Sequence, residues 1–252
     1  DTTFHFEIAA DLFEDDMLQL LKKVPDEWFR FEIGVQSTHK KTIQAVDRKM
    51  NFSQVVKNVS KLRENNNINL HLDLIAGLPY EDYSLFQKSF NEVYDLNPHD
   101  LQLGFLKLLK GSKIRREAEK YDYKFTDNAP YEVLENKFIK YEELLNFKGV
   151  DYTVKKFHNS GAFSRSLKFV LDNYYESNYL FFEDLFTYFE NNNLNRISHS
   201  RKKLYDIFYE FYQENIEVNI GENKAEAEKT QFADFLKFDL FFNNYGAQPR
   251  YW

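Results

Sequence analysis

The chain has 252 residues and no cysteine, so it carries neither a disulfide framework nor a thiolate metal site of its own. Its formal net charge of −7 makes it a poor general ligand for phosphate backbones or anionic lipids. No run of roughly eighteen apolar residues is present, so no membrane span is expected and the reading is a cytoplasmic globular protein. The chain opens Asp1-Thr-Thr-Phe without an initiator Met and runs straight into strand-like residues, which reads as a piece of a longer protein.

Along the first hundred residues, short apolar runs alternate with segments of helical period. Phe4 to Ile8 reads as a strand. Asp15 to Lys23 reads as a helix burying Met17, Leu18, Leu20 and Leu21. Trp28 to Val35 is strand-like. Lys40 to Val46 and Ser53 to Glu64 are helical, with Ser53 as the expected N-cap of the second. Ile68 to Ala76 is the clearest strand, ended by Gly77-Leu-Pro; Tyr83 to Leu96 is a helix and Leu101 to Leu106 a strand. The expected strand ends lie near Glu7, Gln36, Asp73 and Gly104, at intervals of 29, 37 and 31 residues, which suits βα repeats on a parallel sheet. Four such units make half of a closed eight-stranded barrel, so the fold class is α/β, a half TIM-type βα barrel over residues 1–120.

Beyond Lys120 the pattern becomes helical and rich in Phe and Tyr, which total 26 and 17 in the whole chain. Tyr131 to Phe147, Ser164 to Tyr175, Phe181 to Asn191 and Ser200 to Asn215 are expected helices. Glu217 to Gly221 reads as a short strand, and Glu222 to Lys229 as a helix or an exposed charged loop. Residues 121–252 are therefore expected to form a mostly helical accessory domain.

Ligands of parallel βα barrels bind at the C-terminal ends of strands. Glu7, Gln36, Ser37 and Asp73 are the polar residues that the expected strands carry there. One such residue is usually a satisfied structural group; several on successive strands point to a shared site. The six histidines make no close metal-ligand spacing. Arg201-Lys-Lys precedes aromatics at helical spacing, and the surrounding region is not net basic, so core packing is favoured over nucleic-acid contact. Gly77-Leu-Pro lacks the spacing and the lysine of a phosphate loop.

Gly34-Val-Gln-Ser, Val46-Asp-Arg-Lys and Leu72-Asp-Leu-Ile-Ala-Gly-Leu-Pro, in this order, resemble the second half of the radical S-adenosylmethionine barrel. The closest pattern is shared by oxygen-independent coproporphyrinogen oxidases and cobalamin-dependent radical enzymes of that superfamily. The resemblance covers roughly residues 3 to 120. It implies that Glu7 lies near the ribose or amino group of S-adenosylmethionine, that Gln36 hydrogen-bonds the cofactor, that Arg48 pairs with its methionine carboxylate and that Asp73 contacts its ribose hydroxyls. Ser37 joins this set, and Gly104, within Leu103-Gly-Phe, implies a close approach of the adenine. A guanidinium fork suits a carboxylate and a carboxylate suits a diol.

The chain departs from the pattern at Tyr80, where the common loop has Gly, at Lys110-Gly-Ser, and in lacking the Cys-x3-Cys-x-x-Cys loop. The resemblance therefore implies a parent that generates a 5′-deoxyadenosyl radical with a [4Fe–4S] cluster bound by an earlier part of the same polypeptide, acting on an unknown small-molecule substrate. This chain alone is expected to be inactive. The helical half resembles an extension of undefined function in proteins that also have a cobalamin-binding domain, some named as anaerobic magnesium-protoporphyrin monomethyl ester cyclases, so cobalamin is a candidate second cofactor of the parent. The alternative is a partner-binding scaffold with a degenerate half barrel. Exposed strand edges also offer a route to dimerisation.

Overall fold

The computed structural model describes residues 2–219 and 222–243. Strands β1 (Phe4–Ile8), β2 (Phe29–Gln36), β3 (Asn69–Ala76) and β4 (Asp100–Phe105) form one sheet in chain order, each neighbour pair parallel. Parallel neighbours require crossovers, and helices supply them. Helix α1 (Asp15–Leu21) links β1 to β2. Helices α2 (Lys40–Ala45) and α3 (Phe52–Asn65) link β2 to β3, and α4 (Tyr83–Tyr94) links β3 to β4.

Local chemistry explains the helix limits. The α3 cap is Asn51, whose side chain accepts from Gln54 N; the expected cap, Ser53, lies inside the first turn and its hydroxyl donates to Asn51 Oδ1 at 2.7 Å. Asn66 ends α3 in the left-handed region with its N–H on Leu62 O. Asp82 caps α4 through Leu85 N at 2.9 Å. Val55, Val59 and Leu62 on α3, and Phe86, Phe90 and Val93 on α4, recur at helical spacing and are buried.

Side chains alternate across a strand, so the register defines two faces. One carries Phe31, Ile33, Val35, Leu70, Leu72, Leu74, Leu101 and Leu103, all buried. The other carries Glu7 opposite Glu32, Glu32 opposite His71, Gly34 opposite Asp73, and Asp73 opposite Gln102. The strands end at Ile8, Gln36, Ala76 and Phe105. Asp73 therefore sits within β3 rather than at its end, because the apolar alternation continues through Leu74 and Ala76.

After β4 the chain forms α5 (Lys113–Arg116) and an antiparallel pair, β5 (Lys124–Phe125) with β6 (Val133–Glu135). The helix expected from Tyr131 begins ten residues later, as α6 (Tyr141–Phe157). Two local causes delay it. Tyr131 has φ of 61°, outside any right-handed helix. Asn136 Oδ1 accepts from Phe138 N and Ile139 N, holding a turn where the helix would run.

The chain divides into two compact units, Asp1–Asp151 and Tyr152–Trp252, and the division falls inside α6. The second unit contains α7 (Ser164–Tyr174), α8 (Asn178–Asn191), α9 (Arg201–Phe211) and α10 (Glu222–Asn243), with a π-helical turn, Tyr212–Ile216, after α9. Its core is aromatic: Phe181, Phe182, Phe189, Phe208, Phe211 and Phe232 are fully buried. Glu217–Asn219 is a 3-10 turn and not the expected strand; residues 220 and 221 lie outside the described residues. The charged stretch from Glu222 belongs to α10, which Phe232, Leu236 and Leu240 anchor at helical spacing. Among the described residues no helix is long and apolar enough to cross a membrane.

Candidate functional site at the C-terminal end of the sheet

The second face of the sheet is polar. His5 Nε2 lies 3.0 Å from Glu32 Oε2, and His71 Nε2 lies 3.0 Å from Asp100 Oδ2. Arg30 Nη2 reaches His71 Nε2 at 2.7 Å and Asp100 Oδ2 at 3.4 Å. Asp73 lies further along the same face. Burial, reinforced by the nearby carboxylates of Glu32 and Glu7 and opposed by His71, raises its carboxyl from 3.8 to about 7. Its Oδ1 is buried and has no hydrogen-bond partner among the described residues. Asp73 can therefore hold a proton near neutral pH, and its Oδ1 can accept a hydrogen bond from a polar ligand.

At its C-terminal end β2 breaks register: Gly34 pairs with Asp73, but Gln36 pairs with Leu74, so one extra residue is accommodated. Gln36 has φ of 70°, unusual for a residue with a side chain. Ser37 N donates to Val35 O at 2.9 Å, closing a γ-turn around Gln36. The Gln36 amide folds back over Gly34, where an added Cβ would stand 2.4 Å from Gln36 Nε2 and 3.4 Å from Arg48 Nη2. Glycine leaves room here for the Gln36 amide to take this seat; an added Cβ would push the amide aside. Arg48 Nη2 donates to Gly34 O. Gln36 and Arg48 thus meet at one backbone position, and both line a cavity of about 490 Å³ with Ile75, Leu78, Leu106 and Ser112. A neighbouring cavity of about 690 Å³, lined by Thr38, Lys49 and Phe52, also reaches Arg48.

Behind the turn lies Glu81, 1% exposed. Ser37 Oγ donates to Glu81 Oε1 at 2.5 Å and Ser89 Oγ donates to the same oxygen at 2.9 Å. Burial pushes the Glu81 carboxyl from 4.5 up to about 7, against the two serine hydrogen bonds, which pull it down. The adjoining loop is held as well. Tyr123 Oη and Asn136 Nδ2 both donate to Gly77 O, at 2.8 and 2.9 Å. Tyr80, the departure from glycine in this loop, has φ of 62°; its ring lies 4.0 Å below Lys41 Nζ and 4.9 Å from the Phe138 ring.

Of the residues singled out in the sequence, Gln36 and Arg48 come together. Asp73 shares the polar face with Gly34 and pairs across to Gln102. Glu7 is on the edge strand, exposed, in register with Glu32. Gly104 pairs with Ile75, and an added Cβ would meet Leu74 O at 3.4 Å. Ser37 is fully buried, with its hydroxyl on Glu81. Sequence reasoning gave no role of their own to Gly34, Glu32 or Glu81. A glycine inside an otherwise β-branched and aromatic strand is a signal for a bulge or a close approach; nothing in the local sequence distinguishes Glu81 from Asp82. Among the described residues no group of three His, Cys, Asp or Glu is placed to hold a metal ion.

The family described as "Protein of unknown function (DUF4080)" matches residues 119–252, just over half of the chain. The uncharacterized protein YtqA of Bacillus subtilis is 29% identical over 122 residues, covering 48% of this chain and 38% of that protein. The oxygen-independent coproporphyrinogen-III oxidase-like protein HemZ of the same organism is 28% identical over 111 residues, covering 44% of this chain and 22% of that one. The chain therefore spans well under half the length of either relative. Among solved structures, coproporphyrinogen III oxidase HemN of Escherichia coli, described as a radical SAM enzyme, aligns at a TM-score of 0.38 and 20% identity, over 59% of this chain and 38% of that one.

Proposed function

The chain belongs to the DUF4080 family of proteins of unknown function, and from that premise we propose that it is the later part of a radical S-adenosylmethionine enzyme, supplying one side of the cofactor pocket. The observation that carries the reading is the convergence of Gln36 and Arg48 on Gly34, at the C-terminal end of a strand in a parallel sheet, beside a cavity. The similarity to a coproporphyrinogen-III oxidase-like protein supports it.

The chemistry of the donor set fits S-adenosylmethionine. Arg48 presents a guanidinium for a carboxylate. Gln36 Oε1 and Asp73 Oδ1 are buried acceptors without partners among the described residues, suited to an ammonium or to ribose hydroxyls. Glu7 and Gly104 extend the same face. Ser37 acts from behind, on the turn. The residues do not fit an iron–sulfur cluster, because the chain has no cysteine. In this reading the cluster belongs to another part of the parent polypeptide, and bound cofactor and cluster together supply reductive cleavage of S-adenosylmethionine. A cobalamin-binding domain in the parent is the finer form of the proposal. Phe4 and Phe6 on the edge strand are 50% and 43% exposed, a surface suited to a preceding βα unit of the same polypeptide.

The test is calorimetric titration of S-adenosylmethionine into the full-length parent. Arg48→Ala should weaken binding about tenfold or more, since a hydrogen-bonded charge contributes roughly 1.5–3 kcal/mol. Lys49→Ala should have little effect, because Lys49 lines the neighbouring cavity and not the one beside Gln36. If folded Arg48→Ala binds as wild type does, the cofactor reading fails and the scaffold reading replaces it.

A further inference from the structure

We propose that Glu81 is a positioning residue: acting through Ser37, it holds the Val35-Gln36-Ser37 turn in its left-handed form and so aims Gln36, with Arg48 beside it, at the cavity. The ligand's identity rests on the function proposed above; the role of Glu81 in the turn does not.

The turn is costly by itself. A γ-turn with positive φ at its centre is rare, and Gln36 has a Cβ that disfavours it. Such conformations persist only where the surroundings over-determine them. Here the surroundings are a buried polar network. Ser37, Glu81 and Ser89 are each at most 1% exposed. Glu81 Oε1 receives both serine hydroxyls, at 2.5 and 2.9 Å. Ser37 Oγ in turn accepts from His39 N at 3.0 Å, and Ser89 Oγ accepts from Thr38 N at 3.2 Å. One carboxyl oxygen therefore ties the end of β2 to the loop after β3 and the helix α4 that follows it, 44 positions further along the chain. Without it the Ser37 hydroxyl loses its acceptor and the turn loses its anchor. The strand would then be free to run on in extended form, and the Gln36 amide would leave its seat over Gly34 beside Arg48.

The other carboxyl oxygen, Oε2, is buried without a partner among the described residues. A neutral carboxylic acid tolerates that position far better than an anion, and burial shifts Glu81 toward the neutral form. A glutamine at this position keeps the oxygen that receives both serines. The positioning role therefore separates Glu81→Gln, which preserves the anchor, from Glu81→Ala, which removes it.

The experiment measures two quantities on full-length protein: hydrogen exchange of the peptide covering residues 33–39, and S-adenosylmethionine affinity by calorimetry. Glu81→Ala should speed exchange of that peptide selectively and weaken binding by about tenfold, while Glu81→Gln should match wild type in both. Exchange unchanged in folded Glu81→Ala, or Glu81→Gln behaving like Glu81→Ala, overturns the proposal. If Glu81→Ala does not fold, Ser37→Ala removes the hydroxyl through which Glu81 acts and is read by the same pair of measurements; unchanged exchange there overturns the proposal equally. Should wild type fail to bind S-adenosylmethionine at all, the proposed cofactor falls, and the exchange result still decides the role of Glu81.

Discussion

Replacing Glu81 with glutamine should change how stability depends on pH. In the unfolded chain the Glu81 carboxyl ionises around 4.5; in the fold, burial raises it to about 7. Below 4.5 the carboxyl is neutral in both states, and its burial carries no ionisation penalty. Between 4.5 and about 7 the unfolded state loses its proton while the folded state keeps it, so stability falls as pH rises. Above about 7 both states are ionised and the loss levels off. At roughly 1.4 kcal/mol for each pH unit across this window, the full loss is about 3 kcal/mol. Glutamine does not titrate, so the stability of Glu81→Gln minus that of wild type should rise by about this amount across the window and be flat on either side. Asp73, raised in the same direction by burial and by its acidic neighbours, contributes the same slope to both proteins and cancels from the difference. Urea titrations of both proteins, stepped through this range and followed by tryptophan fluorescence and far-ultraviolet circular dichroism, measure it. Parallel profiles through the window would refute the reasoning, since they would mean that Glu81 ionises alike in the folded and unfolded chain.

Gly34→Ala places a Cβ against the flexible end of Gln36 rather than against backbone, so the unfolding free energy from denaturant titration should fall by only about 1 kcal/mol; S-adenosylmethionine affinity of the parent should nevertheless fall about fivefold or more, because the amide must leave its seat beside Arg48. Asp239→Ala should destabilise the helical unit by about 1–3 kcal/mol. Asp239 Oδ2 receives Arg165 N at 3.1 Å, Ser166 N at 2.9 Å and Ser166 Oγ at 2.7 Å, and fast exchange at the first turn of α7 is the expected signature. Asn136→Ala removes a donor to Gly77 O and the acceptor for Phe138 N and Ile139 N, so it should loosen the loop after β3, read as faster exchange over residues 77–80.

The parallel sheet was legible because its signals are local. Phe29–Gln36 and Asn69–Ala76 alternate apolar and polar residues with period two, and the helical runs between them place Val55, Val59 and Leu62 on one face. A repeating pattern of burial is recorded in every residue of an element, so the sequence alone determines which segments are strands and which faces they bury. The pairing of Gln36 with Arg48 was legible only through the resemblance, since no local rule brings two residues on either side of α2 together. Tyr131 shows the limit of periodicity: its neighbours have helical spacing, yet Asn136 holds a turn there and Tyr131 lies at positive φ. Other features were decided by tertiary structure alone. Helix α7 has no cap from its own preceding residue; its cap is Asp239, 73 positions further along at Ser166. The turn at Gln36 depends on Glu81, 44 positions from Ser37. In each case a costly local conformation, or an exposed set of backbone donors, is stabilised by one buried side chain delivered from a distant element. That side chain leaves no periodic trace of its own, because its role arises only when the packed core removes water from both partners.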